Sequence, residues 1–342
     1  MKEAENKLAA YRALVEQGLT RLGWSEARPS GLYRPMEYFL ALGGKRLRPV
    51  LCLMACDTTG QDPGTALPQA IALELFHNFT LLHDDIMDQS PLRRGQATVH
   101  LRYDVNAAIL SGDALMIEAY RHMVACKDTL LPAVLSEFNR VALQVCQGQQ
   151  LDMEFQDRLV VSLDEYREMI GLKTAVLLGS SLKIGALVGG AKEDDAQKMF
   201  RFGYLTGLAF QVQDDWLDVF GDPARFGKQV AGDIKACKHS FLRVMAHREA
   251  GPAEQEELEQ GFARIQALRA NPQEADAEHA LDAAVQGLIA TYQKLGIEAK
   301  AIAFKDSLME EARLVLGTSP LGQGPKAAVL MDYANYLANR KE

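Results

Sequence analysis

Two short acidic clusters, Asp84-Asp85-Ile86-Met87-Asp88 and Asp214-Asp215-Trp216-Leu217-Asp218, are the residues of this chain whose types and spacing most directly suggest chemistry. In each, the first and last aspartates are four positions apart and share one face of a helix. Like charges one turn apart destabilise a helix, by a few tenths of a kcal/mol when exposed and by more beside an apolar core. A bound cation removes that repulsion. Carboxylates are hard oxygen donors and suit Mg²⁺, which takes one or two of them and completes its shell with water and substrate phosphates. His77 lies seven positions before Asp84, and Gln211 seven before Asp218, so each falls on the same stripe as its cluster. Neither cluster has the glycine and distal glutamate of a calcium loop. One such cluster alone reads equally as a solvated helix end. Two copies, each closing a long apolar helix and each followed by basic residues, point to metal-assisted binding of an anion.

The basic residues support this. Gly43-Gly44-Lys45-Arg46-Leu47-Arg48-Pro49 places three cations at a helix start, where the helix dipole disfavours them and an anion would be welcome. Arg93-Arg94 follows the first acidic cluster, and Lys228 and Lys238 follow the second. Lys173-Thr174 interrupts a mostly apolar helix, where a lone lysine could also simply snorkel to solvent. Acid row, basic loop, acid row, basic loop is the order expected for a polyanion held partly by metal and partly by ion pairs. Other phosphate sites do not fit. Gly221 to Lys228 has P-loop flavour, but Gln229 stands where Ser or Thr is needed. There is no strand-borne dinucleotide fingerprint and no His-Glu-x-x-His zinc helix.

The elements that must position these residues read as helices. Apolar periodicity of the helical kind dominates, and strand-like alternation is nearly absent, so the fold class expected is all-α. Helices are expected over 3–22, 34–42, 47–57, 67–88, 107–125, 131–158, 163–188 and 191–220, followed by shorter ones with breaks near Gly251-Pro252, Asn271-Pro272, Gly296 and 318–325. The chain has 342 residues, 48% hydrophobic and 24% charged, which suits a globular protein with a sizeable core. No linker or fixed-period repeat marks a boundary, and one domain over 1–342 is expected. A net charge of -8 argues against a nucleic-acid partner. Cys52, Cys56, Cys126, Cys146 and Cys237 show no zinc pairing and read as thiols of a reducing compartment. The charged N-terminus lacks a signal-peptide core. The longest apolar run, 175–191, contains Lys183, so no stable membrane insertion is expected. A soluble cytoplasmic protein is the expectation.

These residues, in this order, resemble the trans-isoprenyl diphosphate synthase family. The matching segments are Gly43 to Pro49, Leu82-His83 to Asp88 with Arg93-Arg94-Gly95, Leu172-Lys173-Thr174-Ala175, Phe210-Gln211 to Asp218, Gly227-Lys228 and Gly232-Asp233, with Gly148-Gln149-Gln150-Leu151-Asp152 between them. They cover about residues 31–242. The resemblance implies an isoprenoid-synthase helical bundle around a deep apolar cavity, usually as a homodimer. It implies Mg²⁺, three per site, with Asp84, Asp88 and Asp214 as metal ligands. Asp84, Asp85, Asp88, Lys173, Asp214 and Lys228 would form the catalytic set. Arg93, Lys173, Thr174, Gln211, Lys228 and Lys238 would contact an allylic diphosphate, and Lys45, Arg48, His77 and Arg94 would hold isopentenyl diphosphate. The chain departs from the family pattern at Lys238-His239-Ser240, where the neighbours of the lysine differ.

The implied reaction is ionisation of the allylic C–O bond, attack by the alkene of isopentenyl diphosphate, and loss of a proton to the departing diphosphate. Product length would depend on Phe79 and Thr80, five and four positions before Asp84. One aromatic there without an insertion resembles the geranylgeranyl type, with the farnesyl type as the alternative. Phe79 also reads as ordinary core packing. A terpene or squalene-type synthase would not need the Lys45, Arg48 and His77 group. A non-catalytic subunit of a heteromeric synthase would be expected to lose acidic residues from its clusters.

Overall fold

The apolar periodicity is realised almost throughout as helix in the computed structural model, which describes residues 2–221, 231–271 and 276–340. The helices are α1 (Lys2–Thr20), α2 (Ser30–Ala41), α3 (Leu47–Thr58), α4 (Leu67–Met87), α5 (Val99–Arg102), α6 (Val105–Met123), α7 (Leu131–Phe155), α8 (Leu163–Ile170), α9 (Val176–Val188), α10 (Glu193–Phe220), α11 (Gly232–Lys235), α12 (Phe241–Glu249), α13 (Pro252–Ala270), α14 (Ala277–Lys294), α15 (Ile297–Gly317) and α16 (Gly324–Ala338). Between α4 and α5 lies a small antiparallel hairpin, β1 (Leu92–Arg93) and β2 (Gln96–Ala97), with Arg93 paired to Gln96. Its two turn residues, Arg94 at φ 53° and Gly95 at φ 76°, are both left-handed, as a tight two-residue hairpin turn requires. Two-residue strands carry no alternation to detect, which is why the hairpin reads only as a loop in the sequence.

The chain divides into two compact units. The first comprises Met1–Arg140, Ser180–Phe200 and Gly317–Leu330. Its centre is α4, which packs against α6, α3 and α1. Pro68 at the helix start sets its entry, and a run of buried side chains from Ala70 to Phe76 anchors it. Full burial of one side chain of the size of Phe76 contributes about 1.5–3 kcal/mol, so this anchoring holds the acidic end of α4 firmly. Arg46 has a second, unforeseen role here. It stands at φ 49° before α3, is buried, and donates to Glu16 at 2.8 Å, to Glu74 at 2.7 Å and to the Leu40 carbonyl. One of the three cations at that helix start is therefore spent on closing the loop.

The second unit comprises Val141–Gly179, Arg201–Leu316 and Met331–Glu342. Here the helix expected over 163–188 is interrupted by a π-helical turn, Gly171–Ala175. Ser162 caps the start of α8 in a reciprocal capping box with Glu165. The turn lies hard against α7, where a Cβ on Gly148 would come within 2.2 Å of the Lys173 backbone nitrogen. Only glycine permits that approach. The widened turn presents Lys173 and Thr174, in keeping with the habit of π-turns to mark working sites. The stretch 163–188 is long and apolar enough to cross a membrane by composition, but 78% of its apolar window is buried, as in a core helix. All five cysteines are thiols.

Candidate active site

In the first unit the basic residues gather around His77. Arg48 Nη1 donates to His77 Nε2 at 3.0 Å, which requires a neutral imidazole protonated on Nδ1. Burial, and then the charges of Arg48, Arg94, Arg93 and Arg46, hold His77 well below its usual titration range. Arg48 itself is pushed down to about 10 by burial, relieved only in part by Glu74. Gly44, at φ 145°, lets the Arg94 guanidinium lie over the glycine loop, since a Cβ there would sit 2.8 Å from Arg94 Nη2. The structure thus brings Arg48, His77 and Arg94 into one electropositive group. Such a group, whose neighbouring carboxylates Glu74 and Asp85 are already engaged by Arg46 and Arg93, is suited to a polyanion. Lys45 lies on the same glycine loop.

The first acidic cluster closes α4. Asp84 and Asp88 are partly exposed on one face, with Asp88 as the last, C-capping residue. Asp85 points the other way. It is buried and receives Arg93 through Nε at 3.0 Å and Nη2 at 2.5 Å. Burial pushes the Asp85 carboxyl up, and the Arg93 guanidinium opposes that. The hairpin, held by Thr98 donating to the Ser90 carbonyl, is what brings Arg93 back to it. Above Asp84 on the helix, Phe79 is half-buried and stacks edge-on against His83 at 4.8 Å, while Thr80 donates to the His77 carbonyl. Phe79 continues into a ladder of rings through Phe76, at 5.7 Å, and Phe138, a further 5.5 Å on.

In the second unit Lys173, Thr174, Gln211 and Lys238 line one cavity of about 100 Å³. Four of the residues expected to contact an allylic diphosphate are thereby brought together. Lys228, expected beside them, lies outside the described residues, and Arg93 belongs to the first unit. Lys173 Nζ donates to Asp152 at 2.5 Å, a partner in the Gly148-to-Asp152 segment. Thr174 donates to Gln211 Oε1 at 3.0 Å.

The three aspartates of the second cluster do three different things. Asp214 accepts from Arg340, whose guanidinium also lies 4.0 Å above the Phe210 ring. Asp215 is buried and accepts from Tyr166 at 2.7 Å, from the Phe241 backbone N–H at 2.6 Å and from Gln211 at 3.0 Å. Burial, with nearby Asp233 adding to it, pushes its carboxyl up to about 7 against those hydrogen bonds. Asp218 accepts from the backbone N–H groups of Gly232 and Asp233 and so starts α11. At the unusual Lys238-His239-Ser240 step, His239 donates to the Arg158 carbonyl and is held down at about 4 by burial and Arg243. Tyr166 and Arg340 were not singled out by the sequence, while Asp152 and Asp215 lay in the segments it picked out but were given no individual role.

Among the described residues no three metal-ligating side chains converge on one point. Asp84 and Asp88, partly exposed and made only of hard oxygens, fit a Mg²⁺ ion whose shell is finished by substrate phosphates. Asp214 carries the same hard oxygens but is paired with Arg340 in this structure.

Residues 29–281 match the family model described as polyprenyl synthetase. The chain is 37% identical over 259 residues to the short chain isoprenyl diphosphate synthase of Methanothermobacter thermautotrophicus, covering 75% of this chain and 79% of the relative. It is 39% identical over 251 residues to the geranylgeranyl pyrophosphate synthase of Geoglobus acetivorans, covering 70% and 78%. A crystal structure of a geranylgeranyl pyrophosphate synthase superposes with a TM-score of 0.89 at 37% identity, covering 98% of this chain and 99% of that one.

Proposed function

The chain belongs to the polyprenyl synthetase family, and from that premise we infer that it is a trans-prenyltransferase joining isopentenyl diphosphate head to tail with allylic diphosphates, with geranylgeranyl diphosphate as the product. The observation that carries this reading is the pair of basic sites. One diphosphate needs the cavity lined by Lys173 and Lys238, and a second, non-allylic diphosphate accounts for Arg48, His77 and Arg94. A terpene-type synthase has no use for the second group.

The residues do the following work in this reading. Arg48, Arg94 and Lys45 hold isopentenyl diphosphate by direct charge, and neutral His77 accepts from Arg48 and fixes its direction. Lys173 and Lys238 bind the allylic diphosphate and stabilise negative charge as it gathers on the leaving group. Lys173 exchanges Asp152 for that phosphate. Asp84, Asp88 and Asp214 would hold Mg²⁺, three ions per site by the family resemblance, and Lys228 would join the diphosphate ligands. What the bound metal supplies is charge stabilisation on the departing diphosphate. The allylic C–O bond breaks, the isopentenyl double bond attacks the cation, and the proton released leaves with diphosphate. No side-chain base is needed. Phe79, with Thr80 beside it, sets the length at which the growing chain stops.

We further propose a homodimer. Ile109, Leu110 and Ile117 are exposed on α6, and such a stripe is unusual on a monomer surface. Light scattering on the wild type and on Ile117→Glu gives a dimer and a monomer if this face is the contact, and two dimers if it is not.

The functional reading is tested with purified protein, Mg²⁺, labelled isopentenyl diphosphate and dimethylallyl, geranyl or farnesyl diphosphate. The expected product is the twenty-carbon diphosphate. A fifteen-carbon product would make it a farnesyl synthase, and failure to consume isopentenyl diphosphate would overturn the reading.

A further inference from the structure

Asp215 has the sequence of a metal ligand and the surroundings of something else. Both carboxylate oxygens are already taken by neutral donors. Oδ2 accepts from the Tyr166 hydroxyl and from the Phe241 backbone N–H, and Oδ1 accepts from Gln211 Nε2. The side chain is buried and turned from the face of α10 that carries Asp214 and Asp218. Each donor belongs to a different element. Tyr166 lies on α8, which runs straight into the π-turn bearing Lys173 and Thr174. Phe241 begins α12, immediately after Lys238-His239-Ser240. Gln211 sits one turn back on α10 itself.

The bonds have a direction that matters. With its nitrogen committed to Asp215, the Gln211 amide must present Oε1 to the Thr174 hydroxyl, and the 3.0 Å contact shows that it does. The amide cannot flip without losing the bond to Asp215 and reversing the one with Thr174. The Thr174 proton is then committed as well, which leaves the threonine lone pairs to face the cavity, where they suit the allylic carbon as it becomes positive rather than the diphosphate oxygens. Tyr166 is needed because a carboxylate this deeply buried must be saturated with donors to stay in place.

We propose that Tyr166 and Asp215 are a positioning pair for the allylic half of the site: they fix the amide of Gln211 and the hydroxyl of Thr174, and tether the start of α12 behind Lys238. Both also line that cavity, but their polar atoms are committed to each other, to Gln211 and to the Phe241 N–H. The inference rests on the reading of Lys173, Thr174, Gln211 and Lys238 as the allylic-diphosphate site.

Tyr166→Phe tests it, since the ring keeps its edge-on packing against Phe241, 6.0 Å away, and only the hydroxyl is lost. Steady-state kinetics are measured with farnesyl and isopentenyl diphosphates after the wild type has been shown to transfer. The expected result is a fall of about tenfold in kcat/KM for the allylic substrate, the scale of a small misplacement in a reacting site, with KM for isopentenyl diphosphate unchanged. The decisive readout is a double-mutant cycle with Thr174→Val. If Tyr166 acts through Gln211 on Thr174, removing the hydroxyl in the Thr174→Val background changes allylic kcat/KM by less than about twofold. Additive losses, or equal changes in both substrates' KM, overturn the proposal. Asp215→Asn provides a second route if Tyr166→Phe folds poorly. It places a donor against Gln211, forces the amide to flip, and is expected to mimic Thr174→Val in allylic kinetics. Wild-type kinetics there would also overturn the proposal. Absence of transfer by the wild-type protein itself would instead sink the functional reading, and is recorded first.

Discussion

The two acidic clusters share a sequence pattern and solve its central difficulty in opposite ways. Each buries its middle aspartate. In the first, Asp85 is neutralised by a cation, Arg93, brought back by a hairpin. In the second, Asp215 meets only neutral donors, with Asp233 adding to its burden, and its carboxyl rises to about 7. An ion pair inside a protein recovers much of the cost of burying a charge, whereas hydrogen bonds alone recover less. The first arrangement ties a basic loop to the acidic helix. The second ties three elements together behind one cavity. In both, the outer aspartates are partly exposed, although Asp214 is paired with Arg340 and Asp218 accepts from the Gly232 and Asp233 N–H groups.

The sharpest way to break this comparison is to remove the outer carboxylates. Asp84→Asn, Asp88→Asn and Asp214→Asn are each expected to lower kcat by on the order of a thousandfold, the scale seen when a charge-stabilising group is lost from a reacting site. Steady-state turnover of farnesyl and isopentenyl diphosphates measures this. Loss of less than tenfold in all three would place the metal elsewhere. Asp85→Asn acts differently: it leaves Arg93 without its counter-charge and is expected to destabilise the fold by about 1–3 kcal/mol, read by urea unfolding. An unchanged midpoint would mean that the ion pair contributes nothing.

The helices that carry the clusters also differ. Above the first lies a ladder of rings, His83, Phe79, Phe76 and Phe138, and above the second lies Gln211 with its polar partners. Phe79→Ala is therefore expected to lengthen the product, with kcat kept within about tenfold of the wild type, while Gln211→Ala slows turnover and leaves length alone. Product chromatography separates the two, and an unchanged length in Phe79→Ala would defeat the floor role.

The smallest effect concerns two histidines, His77, which is half-buried, and His239, which is buried. His77 and His239 both have folded-state values below the usual 6.5, about 4 in the case of His239. Their contribution to stability is present above 6.5 and is lost as the pH falls toward the folded-state values, because the unfolded chain takes up protons first. Thermal unfolding at pH 7.5 and pH 5 is expected to show a Tm loss on acidification that shrinks in His239→Asn. An equal loss in both proteins would contradict the assignment.

Much of this was legible in the sequence because helical spacing is a local property. The acidic rows, the long helices beneath them and the all-α class follow from residues three and four apart. What was hidden depends on contacts far along the chain. Nothing near Asp85 or Asp215 says that one meets Arg93 and the other Tyr166, 49 positions away. Arg46 reads as a ligand for an anion beside Lys45 and Arg48 until Glu16 and Glu74 are seen to claim it. The π-turn at Gly171–Ala175 depends on a glycine in another helix. Cation binding is an expectation for Asp84, Asp88 and Asp214, which the resemblance already sets apart from the middle aspartates; what the sequence could not supply is the partners that hold Asp85 and Asp215 inward.

That separation can be measured directly by counting Mn²⁺ ions bound in the presence of inorganic pyrophosphate, by electron paramagnetic resonance, in the wild type and in five single variants. The account predicts that Asp84→Asn, Asp88→Asn and Asp214→Asn each lose bound metal, while Asp85→Asn and Asp215→Asn keep the wild-type number. Loss of metal from the two middle variants, with retention in the outer three, would contradict it.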